Sequence, residues 1–401
     1  MSEWKEYNMS ELIDEIAMGP FGSNIKVDCF VKKGVPVLNG SNLTGFKLSE
    51  KSFNYVTKEK AESLGRSNAK RGDIIVTHRG TLGQVSYIPD DSSYDSYVIS
   101  QSQFRFSCKK DLVFVPYLVY YFHSREGQYK LLSNACQVGV PALARPTSTF
   151  KEISVILPPI EEQKRIAGVL SSLDDKIDLL NRENATLEAL AETLFRHYFI
   201  ENPDPTWKEG KVSDIAIHCK DSINPKKQSD EIFFHYSIPA YDNGKRPAEE
   251  QGRNIQSNKY VVSQNCILFS KLNPHKDKRV WLMLDDVQPN AICSTEFQIV
   301  KPQNDQWLYF LYEWLTYKEN YDEIASGVSG TSGSHQRIDP KVIFDNECLI
   351  VDDGILAQYN EQVLPIFKKV KSNQQQMQTM VAKRDTLLPR IMSGEVKVTE
   401  H

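Results

Sequence analysis

The sequence lacks paired cysteines, long apolar runs and a signal peptide. Its seven cysteines are odd in number, scattered and never arranged as CxxC, which argues against a disulfide framework or a zinc site and favours reduced thiols. No apolar run approaches the roughly 18 residues of a membrane-spanning helix. The first ten residues, MSEWKEYNMS, contain no apolar region of the kind found in signal peptides. We therefore expect a cytoplasmic protein without a metal site.

Motifs of several enzyme classes are also missing. There is no GxxxxGK[ST] phosphate-binding loop. There is no Asn/Asp-Pro-Pro-aromatic motif to hold a flipped adenine, because Pro158-Pro159 is followed by Ile160 and precedes a helix. Glu162-Gln163-Lys164 matches half of a nuclease motif, but it falls on a helix face without an Asp partner on a nearby strand. We expect no catalytic residue in this chain.

The charge is balanced rather than strongly basic. The 401 residues carry a formal net charge of −4, so the charge of the whole chain does not indicate nucleic-acid binding. Residues 1–150 carry 18 basic and 15 acidic side chains, and any DNA-binding surface must therefore be local. The length predicts two or three domains.

The most regular pattern lies between Leu157 and Ile200. Apolar residues recur there at alternating spacings of four and three, which is a heptad seam typical of a helix packed along one other helix. Pro158 and Pro159 suit the start of this helix. We interpret the one polar position, Asn184, as a residue that fixes the register of the helix pair. The seam consists of Ile166, Leu170, Leu173, Ile177, Leu180, Asn184, Leu187, Ala191, Leu194 and Tyr198.

A second seam with the same spacing lies near the C-terminus. Asn373 and Arg384 interrupt it, and Pro365 either kinks the helix or marks its true start. The two seams lie about 194 residues apart, close to half of the chain, which indicates two similar halves. The second seam consists of Leu356, Tyr359, Val363, Ile366, Val370, Met377, Met380, Leu387 and Ile391.

The segments that precede the two helices repeat one order of elements. The first contains predicted strands at 74–76, 84–88, 100–106 and 153–157 and an aromatic helix at 115–132. The second contains the matching segments 265–270, 293–299 and 348–351 and an aromatic helix at 307–321. The predicted fold is therefore α+β, with two similar α/β domains separated by two long helices. These helices would form an antiparallel coiled coil with an internal pseudo-twofold repeat.

Several motifs carry a resemblance to a known family. They are GPFGSN at 19–24, GDIIV at 72–76, RGTLG at 79–83, SQSQ at 100–103, LPPIEEQKRI at 157–166 and LLPRIMSGE at 387–395. Together they make the chain similar to the specificity subunit of a type I restriction-modification enzyme. The second half departs from the pattern, since Cys219 to Asn224 replace the GPFGS turn and Asp352-Asp353-Gly354 replaces the prolines.

This resemblance implies target recognition domains at 1–157 and 201–351, spacer helices at 158–200 and 352–393, and a tail at 394–401. The implied function is recognition of an asymmetric, bipartite target in double-stranded DNA, with one half-site per domain and a spacing set by the helices. In this family the helices dock two methyltransferase subunits, and restriction (motor-nuclease) subunits join them. The chain itself would be non-catalytic and bind no cofactor, whereas the partner subunits use S-adenosylmethionine, ATP and Mg²⁺.

The candidate DNA-binding residues are side chains that suit base edges or phosphates. Forked and amide side chains read base edges, whereas Lys, Arg, Ser and backbone amides hold phosphates. The simpler interpretation of each candidate set is a solvated turn. The candidates in the first half are Lys70, Arg71, His78, Arg79, Thr81 and Arg145. Those in the second half are Lys271, Asn273, His275, Lys276, Lys278, Arg279, Ser334, His335, Gln336 and Arg337.

Three other interpretations of the sequence stay open. The first is a self-contained nuclease or methyltransferase, which the missing motifs disfavour. The second is a coiled-coil scaffold whose domains bind protein, and the third is the recognition subunit of another multi-subunit restriction or methyltransferase system. Methyl transfer by the chain alone would indicate the first, and binding that survives charge reversal of the basic candidates would indicate the second. The neighbouring genes would identify the third.

Overall fold

The computed structural model describes residues 4–136, 139–329, 336–396 and 398. The chain divides into two compact units: unit 1 comprises Met1–Ile177 and Thr379–His401, and unit 2 comprises Asp178–Gln378. The division falls within two long helices, so each unit holds one globular part and one end of each helix. Within the described ranges, no helix has the length and apolar character that a membrane crossing requires.

Unit 1 contains two four-stranded sheets and two short strand pairs. Its strands are β1 Lys5–Asn8, β2 Ile13–Met18, β3 Val35–Val37, β4 Asn54–Val56, β5 Asn68–Ala69, β6 Ile74–Thr77, β7 Val85–Tyr87, β8 Tyr97–Val98, β9 Gln103–Cys108, β10 Ala135–Cys136, β11 Ala142–Leu143 and β12 Ser154–Leu157. Its helices are α1 Met9–Leu12, α2 Lys58–Ser63, α3 Val115–His123, α4 Arg125–Leu132, α5 Pro146–Lys151 and the first part of α6 Ile160–Phe195. The sheets have the orders β2-β9-β6-β7 and β4-β3-β8-β5, and β1 pairs with β12 and β10 with β11.

Unit 2 contains a four-stranded sheet, a five-stranded sheet and two short strand pairs. Its strands are β13 Lys208–Lys211, β14 Ala216–Cys219, β15 Ser222–Ile223, β16 Ile232–Tyr236, β17 Ala248–Gln251, β18 Lys259–Val261, β19 Cys266–Ser270, β20 Val280–Met283, β21 Ala291–Cys293, β22 Phe297–Pro302, β23 Val328–Ser329, β24 Arg337–Ile338 and β25 Glu347–Ile350. Its helices are α7 Val212–Ile215, α8 Ile238–Asp242, α9 Leu308–Thr316, α10 Lys318–Ser326, α11 Pro340–Asp345 and most of α12 Asp353–Met392. The sheets have the orders β14-β22-β19-β20 and β15-β18-β21-β16-β17.

The two units share one connectivity. The order β2-β9-β6-β7 in unit 1 corresponds strand by strand to β14-β22-β19-β20 in unit 2. The parallel pair β3–β8 likewise corresponds to the parallel pair β16–β21. Unit 2 adds β15 at the edge of its second sheet. The predicted α+β class with an internal repeat is confirmed.

The central strand β6 shows how the core of unit 1 is built. Successive side chains of a strand point to opposite faces, and all four residues of β6 are buried. Ile74 and Val76 pack in the same cluster as Tyr117 of α3, whereas Ile75 packs in a separate cluster with Tyr97. The strand is therefore covered on both faces, and its ends are the parts left for other roles.

The predicted aromatic helix at 115–132 is wrong in one respect, because it is two helices. Ser124 takes an extended backbone (φ −68°, ψ 161°), and its Oγ accepts a hydrogen bond from the Gly127 N–H at 3.1 Å. Ser124 is thus the N-cap of α4, which ends α3 one residue earlier. The second aromatic helix is divided in the same way at Tyr317.

The predicted strand at 100–106 starts later than expected. Ser100 to Ser102 form a turn, closed by a hydrogen bond from the Gln103 N–H to the Ser100 carbonyl at 3.1 Å, and β9 begins at Gln103. The matching segment 293–299 is similarly split, since β21 ends at Cys293 and β22 begins at Phe297.

Both long helices are continuous. The first, α6, has 36 residues and begins directly after Pro159. The second, α12, has 40 residues and starts at Asp353, where the Asp352 carboxylate accepts a hydrogen bond from the Ile355 N–H at 3.0 Å. The helix therefore starts well before Pro365, which lies in its interior at the cost of one backbone hydrogen bond.

The long helices run antiparallel, as predicted. Within unit 1, Arg384 of α12 forms an ion pair with Asp174 of α6 at 2.8 Å. Within unit 2, the Asn373 side chain donates to the Asn184 side chain at 2.8 Å. Also within unit 2, the Gln362 side chain donates to the Tyr198 hydroxyl, so partner numbers fall along α12 as they rise along α6. No seam residue is exposed, and the residues buried or half-buried there are Ile166, Leu170, Leu173, Ile177, Leu180, Asn184, Leu187, Leu194, Val363, Ile366, Val370, Met377, Met380 and Leu387.

Candidate nucleic-acid interface

In unit 1, three loops meet at the C-terminal end of β6. The His78 N–H donates to the Ser102 carbonyl at 2.9 Å, and the His78 carbonyl accepts from the Leu143 N–H at 2.8 Å. Gly80 donates to the Pro141 carbonyl at 2.9 Å, and Arg79 forms an isolated antiparallel bridge with Ala142. We call this surface the first rim, defined by residues 78–83, 100–102 and 141–145.

Four of the predicted residues lie on the first rim. Arg79, Thr81 and Arg145 are exposed, and His78 is half-buried. Burial lowers the pKa of His78, whose Nε2 lies 3.2 Å from the Gln101 carbonyl, so the imidazole is neutral at pH 7. Within the described ranges, the Arg79 guanidinium has no acidic partner. An exposed guanidinium of this kind suits a guanine edge or a phosphate.

The backbone of the first rim also favours close approach by a phosphate. Gly80 has a φ of +92°, and a side chain there would meet only open space. A residue with a Cβ would be strained in this conformation, so glycine keeps the loop free of side-chain bulk at this position. Arg145 also has a positive φ, of 44°, and directly precedes α5.

The structure does not bring Lys70 and Arg71 to the first rim. Both precede β6, at the end opposite to Arg79, and the four-residue strand between them is about 13 Å long. The Arg71 guanidinium donates to the Ser92 carbonyl at 2.9 Å and forms an ion pair with Asp95 at 3.2 Å. The predicted residues of unit 1 therefore form two groups rather than one site.

Unit 2 contains a second rim with the same construction. The Lys271 N–H donates to the Glu296 carbonyl at 2.9 Å, and the Lys271 carbonyl accepts from the Ile338 N–H at 3.0 Å. Leu272 forms an isolated antiparallel bridge with Arg337. We call this surface the second rim, defined by residues 271–273, 294–296 and 336–338. Each of these contacts repeats one in the first rim, so the two loops are equivalent in position.

One arginine occupies each bridge, but on opposite strands. In the first rim the bridge joins Arg79 to Ala142, and in the second it joins Leu272 to Arg337. Arg79 therefore corresponds to Leu272, and Ala142 corresponds to Arg337. Both rims therefore place a guanidinium at the equivalent bridge, but the arginine is the first residue of the bridged pair in one rim and the second in the other.

The second rim holds its arginine with an acidic partner. The Arg337 Nη2 lies 2.8 Å from Glu296, and its Nε donates to the same carboxylate at 3.0 Å. This pair raises the pKa of Arg337 and fixes the plane of its guanidinium group. The residue of the first rim that corresponds to Glu296 is Ser102, which has no charge.

Asn273 and Gln336 close the second rim. The Asn273 N–H donates to the Gln336 carbonyl at 2.9 Å, and the Asn273 side chain accepts from the Gln336 N–H at 3.1 Å. Asn273 has a φ of 47°, a conformation that asparagine tolerates better than most residues. His275 and Lys276 are exposed on the turn that follows.

Two predicted cations of unit 2 are engaged with other groups of the protein. Arg279 donates two hydrogen bonds to Asp242, at 2.7 and 2.9 Å, and forms an ion pair with Asp277 at 2.9 Å. Only 12% of its side chain is exposed. The Lys278 ammonium donates to the Thr316 carbonyl, and burial lowers its pKa. Ser334 and His335 lie outside the described residues.

Sequence reasoning missed Gln101 and Glu296. Both lie on the turns that precede β9 and β22, and these turns were assigned to strands. Gln101 is exposed, and Glu296 binds Arg337. The sequence match of 293–299 with 100–106 pairs Glu296 with Gln103, whereas the backbone contacts of the two rims make Glu296 equivalent to Ser102. Within the described ranges, no group of three or more His, Cys, Asp and Glu side chains forms a metal site.

Comparison with known proteins gives one consistent family. Residues 1–189 match the family model described as type I restriction modification DNA specificity domain. The chain is 25% identical over 362 residues to the type I restriction enzyme MjaIX specificity subunit of Methanocaldococcus jannaschii, covering 82% of this chain and 79% of that protein. It is also 25% identical over 218 residues to the type I restriction enzyme HindI specificity subunit of Haemophilus influenzae, covering 53% of this chain and 44% of that protein.

A solved structure shares the fold. The crystal structure of the type I restriction-modification system S subunit from M. genitalium aligns with a TM-score of 0.57 at 15% identity. The alignment covers 97% of this chain and 96% of that one. The likeness thus extends over both units and both long helices.

Proposed function

We propose that this chain is the specificity subunit of a type I restriction-modification enzyme and that it recognises an asymmetric, bipartite target in double-stranded DNA. The match of residues 1–189 to the DNA specificity domain and the similarity to curated specificity subunits support this proposal. Each rim binds one half-site. Two methyltransferase subunits dock on the long helices, and restriction subunits join them. The chemistry and the cofactors S-adenosylmethionine, ATP and Mg²⁺ belong to those partners, and this chain supplies recognition and assembly.

The observation that supports this proposal is the shared construction of the two rims. The backbone contacts of residues 78–80 recur at 271–273, so each unit presents a loop of the same geometry. The side chains on these loops differ, and side chains read base edges. Two equivalent loops with different side chains are expected to read two different half-sites.

The long helices are the proposed spacer. At about 1.5 Å per residue, the 36 residues of α6 span about 54 Å. Deleting four residues from each helix, at positions matched across the seam, removes about 6 Å of length, which is close to two base pairs. We expect the preferred spacer to shorten by about two base pairs. An unchanged spacer would refute the idea that the helices measure the distance.

The experiment that tests recognition removes one arginine from each rim. Arg79→Ala and Arg337→Ala are each assembled with the methyltransferase subunits, and methylated adenines are mapped across a genome. Loss of a good arginine–guanine contact costs about 1–3 kcal/mol, or roughly ten- to hundredfold in discrimination. We expect each variant to relax one half-site and leave the other intact.

Lys70→Ala is the matched control. Lys70 is exposed and basic, but it lies at the opposite end of β6 from Arg79. Its replacement is expected to leave both half-sites unchanged. The proposal fails if the wild-type complex methylates without sequence preference, or if Arg79→Ala and Arg337→Ala behave like this control. Binding that is retained when the basic residues of both rims are replaced would favour the alternative interpretation, a scaffold whose domains bind protein.

A further inference from the structure

Two apolar side chains on one loop of unit 1 are largely exposed to solvent. Phe21 is 83% exposed and Val27 is 85% exposed, and both belong to the loop that follows β2. A phenylalanine with most of its ring in water forgoes the stabilisation of about 2–3 kcal/mol that burial would give. A lone exposed apolar residue is common, but two apolar side chains this exposed on one loop suggest a surface that another molecule covers.

The backbone around Phe21 is fixed. Gly19 donates to the Gln103 carbonyl at 2.8 Å, and a Cβ at Gly19 would lie only 1.9 Å from the Ser100 carbonyl oxygen. A Cβ at Gly22 would lie 2.2 Å from the Gln101 side-chain oxygen. Only glycine allows the close approach of Gly19 to the Ser100 backbone, whereas the neighbour at Gly22 is the end of the flexible Gln101 side chain. The backbone at Gly19 is therefore anchored to the rim, and Phe21 follows it by two residues.

These contacts place Phe21 beside the first rim. Ser100 and Gln101 belong to that rim, and the Gln101 carbonyl lies 3.2 Å from His78 Nε2. Asn24 and Lys26, on the same loop as Phe21, are both exposed and suit phosphate or base contacts. The ring is thus next to the groups that are proposed to meet DNA, with a basic neighbour on its own loop.

The corresponding segment of unit 2 is built differently. After β14 ends at Cys219, the chain forms β15, which pairs with β18 and is absent from unit 1. The Asn224 side chain then caps the next turn by accepting from the Lys226 N–H at 3.1 Å. Residues 220–228 contain no aromatic residue. This segment belongs to a sheet edge, and it offers no counterpart of the exposed Phe21 ring.

We propose that Phe21 is an apolar wedge that inserts against one base step of the first half-site and partly unstacks it, and that no such wedge enters the second half-site. The inference rests on the proposed function. An apolar ring has no hydrogen-bonding role on DNA, and the surfaces that accept it are base faces, which are exposed when a step is opened. Because the backbone at Gly19 is anchored to the rim beforehand, insertion of the ring requires little ordering of the start of this loop.

The test uses the complex with methyltransferase subunits, bound to a duplex that carries the mapped target. The probe is 2-aminopurine, an adenine analogue that fluoresces when unstacked, placed in turn at adenines of both half-sites other than the methylated ones. We expect a fluorescence increase at one step of the first half-site only. Phe21→Ala should abolish this increase and weaken binding roughly tenfold, since stacking contacts are worth about that factor.

Phe21→Leu and Val27→Ala are the matched variants. Phe21→Leu keeps an apolar wedge and should retain most of the fluorescence increase. Val27→Ala removes an equally exposed apolar side chain from the same loop and should leave the increase intact. Because Phe21 is exposed, all three variants should melt at the wild-type temperature.

The proposed wedge is refuted if Phe21→Ala leaves the fluorescence increase unchanged. It is also refuted if Phe21→Ala weakens binding while the wild-type complex shows no unstacking in the first half-site. Both results leave the proposed function intact, because wild-type binding remains sequence-specific. A wild-type complex without sequence preference would instead refute the proposed function itself.

Discussion

The asparagine pair in the helix seam allows a quantitative test of how the seam is held in register. Asn373 is fully buried and Asn184 is nearly so. The Asn373 Nδ2 donates to the Asn184 Oδ1 at 2.8 Å and to the Glu183 carboxylate at 3.0 Å. The Asn184 Nδ2 donates to the Val370 carbonyl at 3.4 Å. The pair is the polar layer of an otherwise apolar stretch, so a shift of the helices would leave both amides unsatisfied.

Replacing one member should cost more than replacing both. Asn373→Leu leaves the Asn184 Oδ1 buried without its donor, which costs about 2 kcal/mol. Asn184→Leu costs less, about 1 kcal/mol, because Asn373 keeps its bond to Glu183. The double replacement places two leucines side by side in the seam and should be neutral or stabilising. The expected coupling energy is therefore about 3 kcal/mol, at the upper end for residues in contact.

The measurement is urea unfolding of the full-length chain, followed by circular dichroism at 222 nm. Asn181→Leu is the control, since Asn181 is exposed on the same helix three residues earlier. If both single variants are as stable as this control, or if the double-mutant cycle closes within about 0.5 kcal/mol, the pair does not hold the register. The double variant should also widen the range of spacer lengths that the complex accepts, because its seam has lost the polar layer that selects one alignment.

Two further predictions concern buried or paired carboxylates. Burial raises the pKa of Glu313 to about 8, well above the ordinary 4.5, so the folded chain keeps a proton that the unfolded chain loses. The free energy of unfolding should therefore fall as pH rises from about 4.5 to about 8. Glu313→Gln should remove that dependence and raise the free energy of unfolding, measured in urea at pH 7, by up to about 3 kcal/mol. A wild-type free energy of unfolding that stays constant over this pH range would contradict the argument. Glu296→Gln frees the Arg337 fork from its partner, and we expect discrimination at the second half-site to drop about tenfold in competition binding while nonspecific affinity stays equal or rises. Unchanged discrimination would mean that Glu296 does not orient Arg337.

The long helices were predictable because their signal is redundant. Each heptad of α6 has apolar residues at the same two positions. One polar residue at such a position, Asn184, therefore does not obscure the pattern. Pro365 was harder to interpret, because proline in a helix interior is unfavourable on local grounds. Packing of the neighbouring seam residues Val363, Ile366 and Val370, all buried, outweighs that local penalty.

The breaks in the aromatic helices were not predictable from apolar spacing. In α3 and α4 the apolar pattern continues across Ser124, and only the capping role of its hydroxyl ends one helix and starts the next. A serine in mid-helix and a serine at an N-cap look alike in one sequence. The distinction is made by the bend needed to lay both helices on the same sheet, which is a tertiary constraint.

The candidate site was predictable in its loops but not in its individual side chains. The turn at Arg79-Gly80 could be found because glycine after a buried strand marks a tight loop. Whether a basic residue on such a loop is available to DNA depends on its neighbours in space. Arg279 and Arg337 look equally suitable in sequence, yet the first is largely buried between Asp242 and Asp277 and the second is near the surface.

The exchange of the arginine across the bridge gives a physical account of how two such rims diverge. The backbone pairing at Arg79 and Ala142 recurs at Leu272 and Arg337. The same backbone geometry therefore forms whichever of the two paired residues is the arginine. Both bridge positions point toward the same surface, and either accepts an arginine without disturbing the core. Moving the charge from one strand to the other shifts the guanidinium across the rim, and with it the base that it is proposed to meet. Under the proposed function this separates recognition from folding: the hydrogen bonds that recur in both rims are made by backbone groups, and the side chains proposed to read DNA are free to differ between the two halves of one chain.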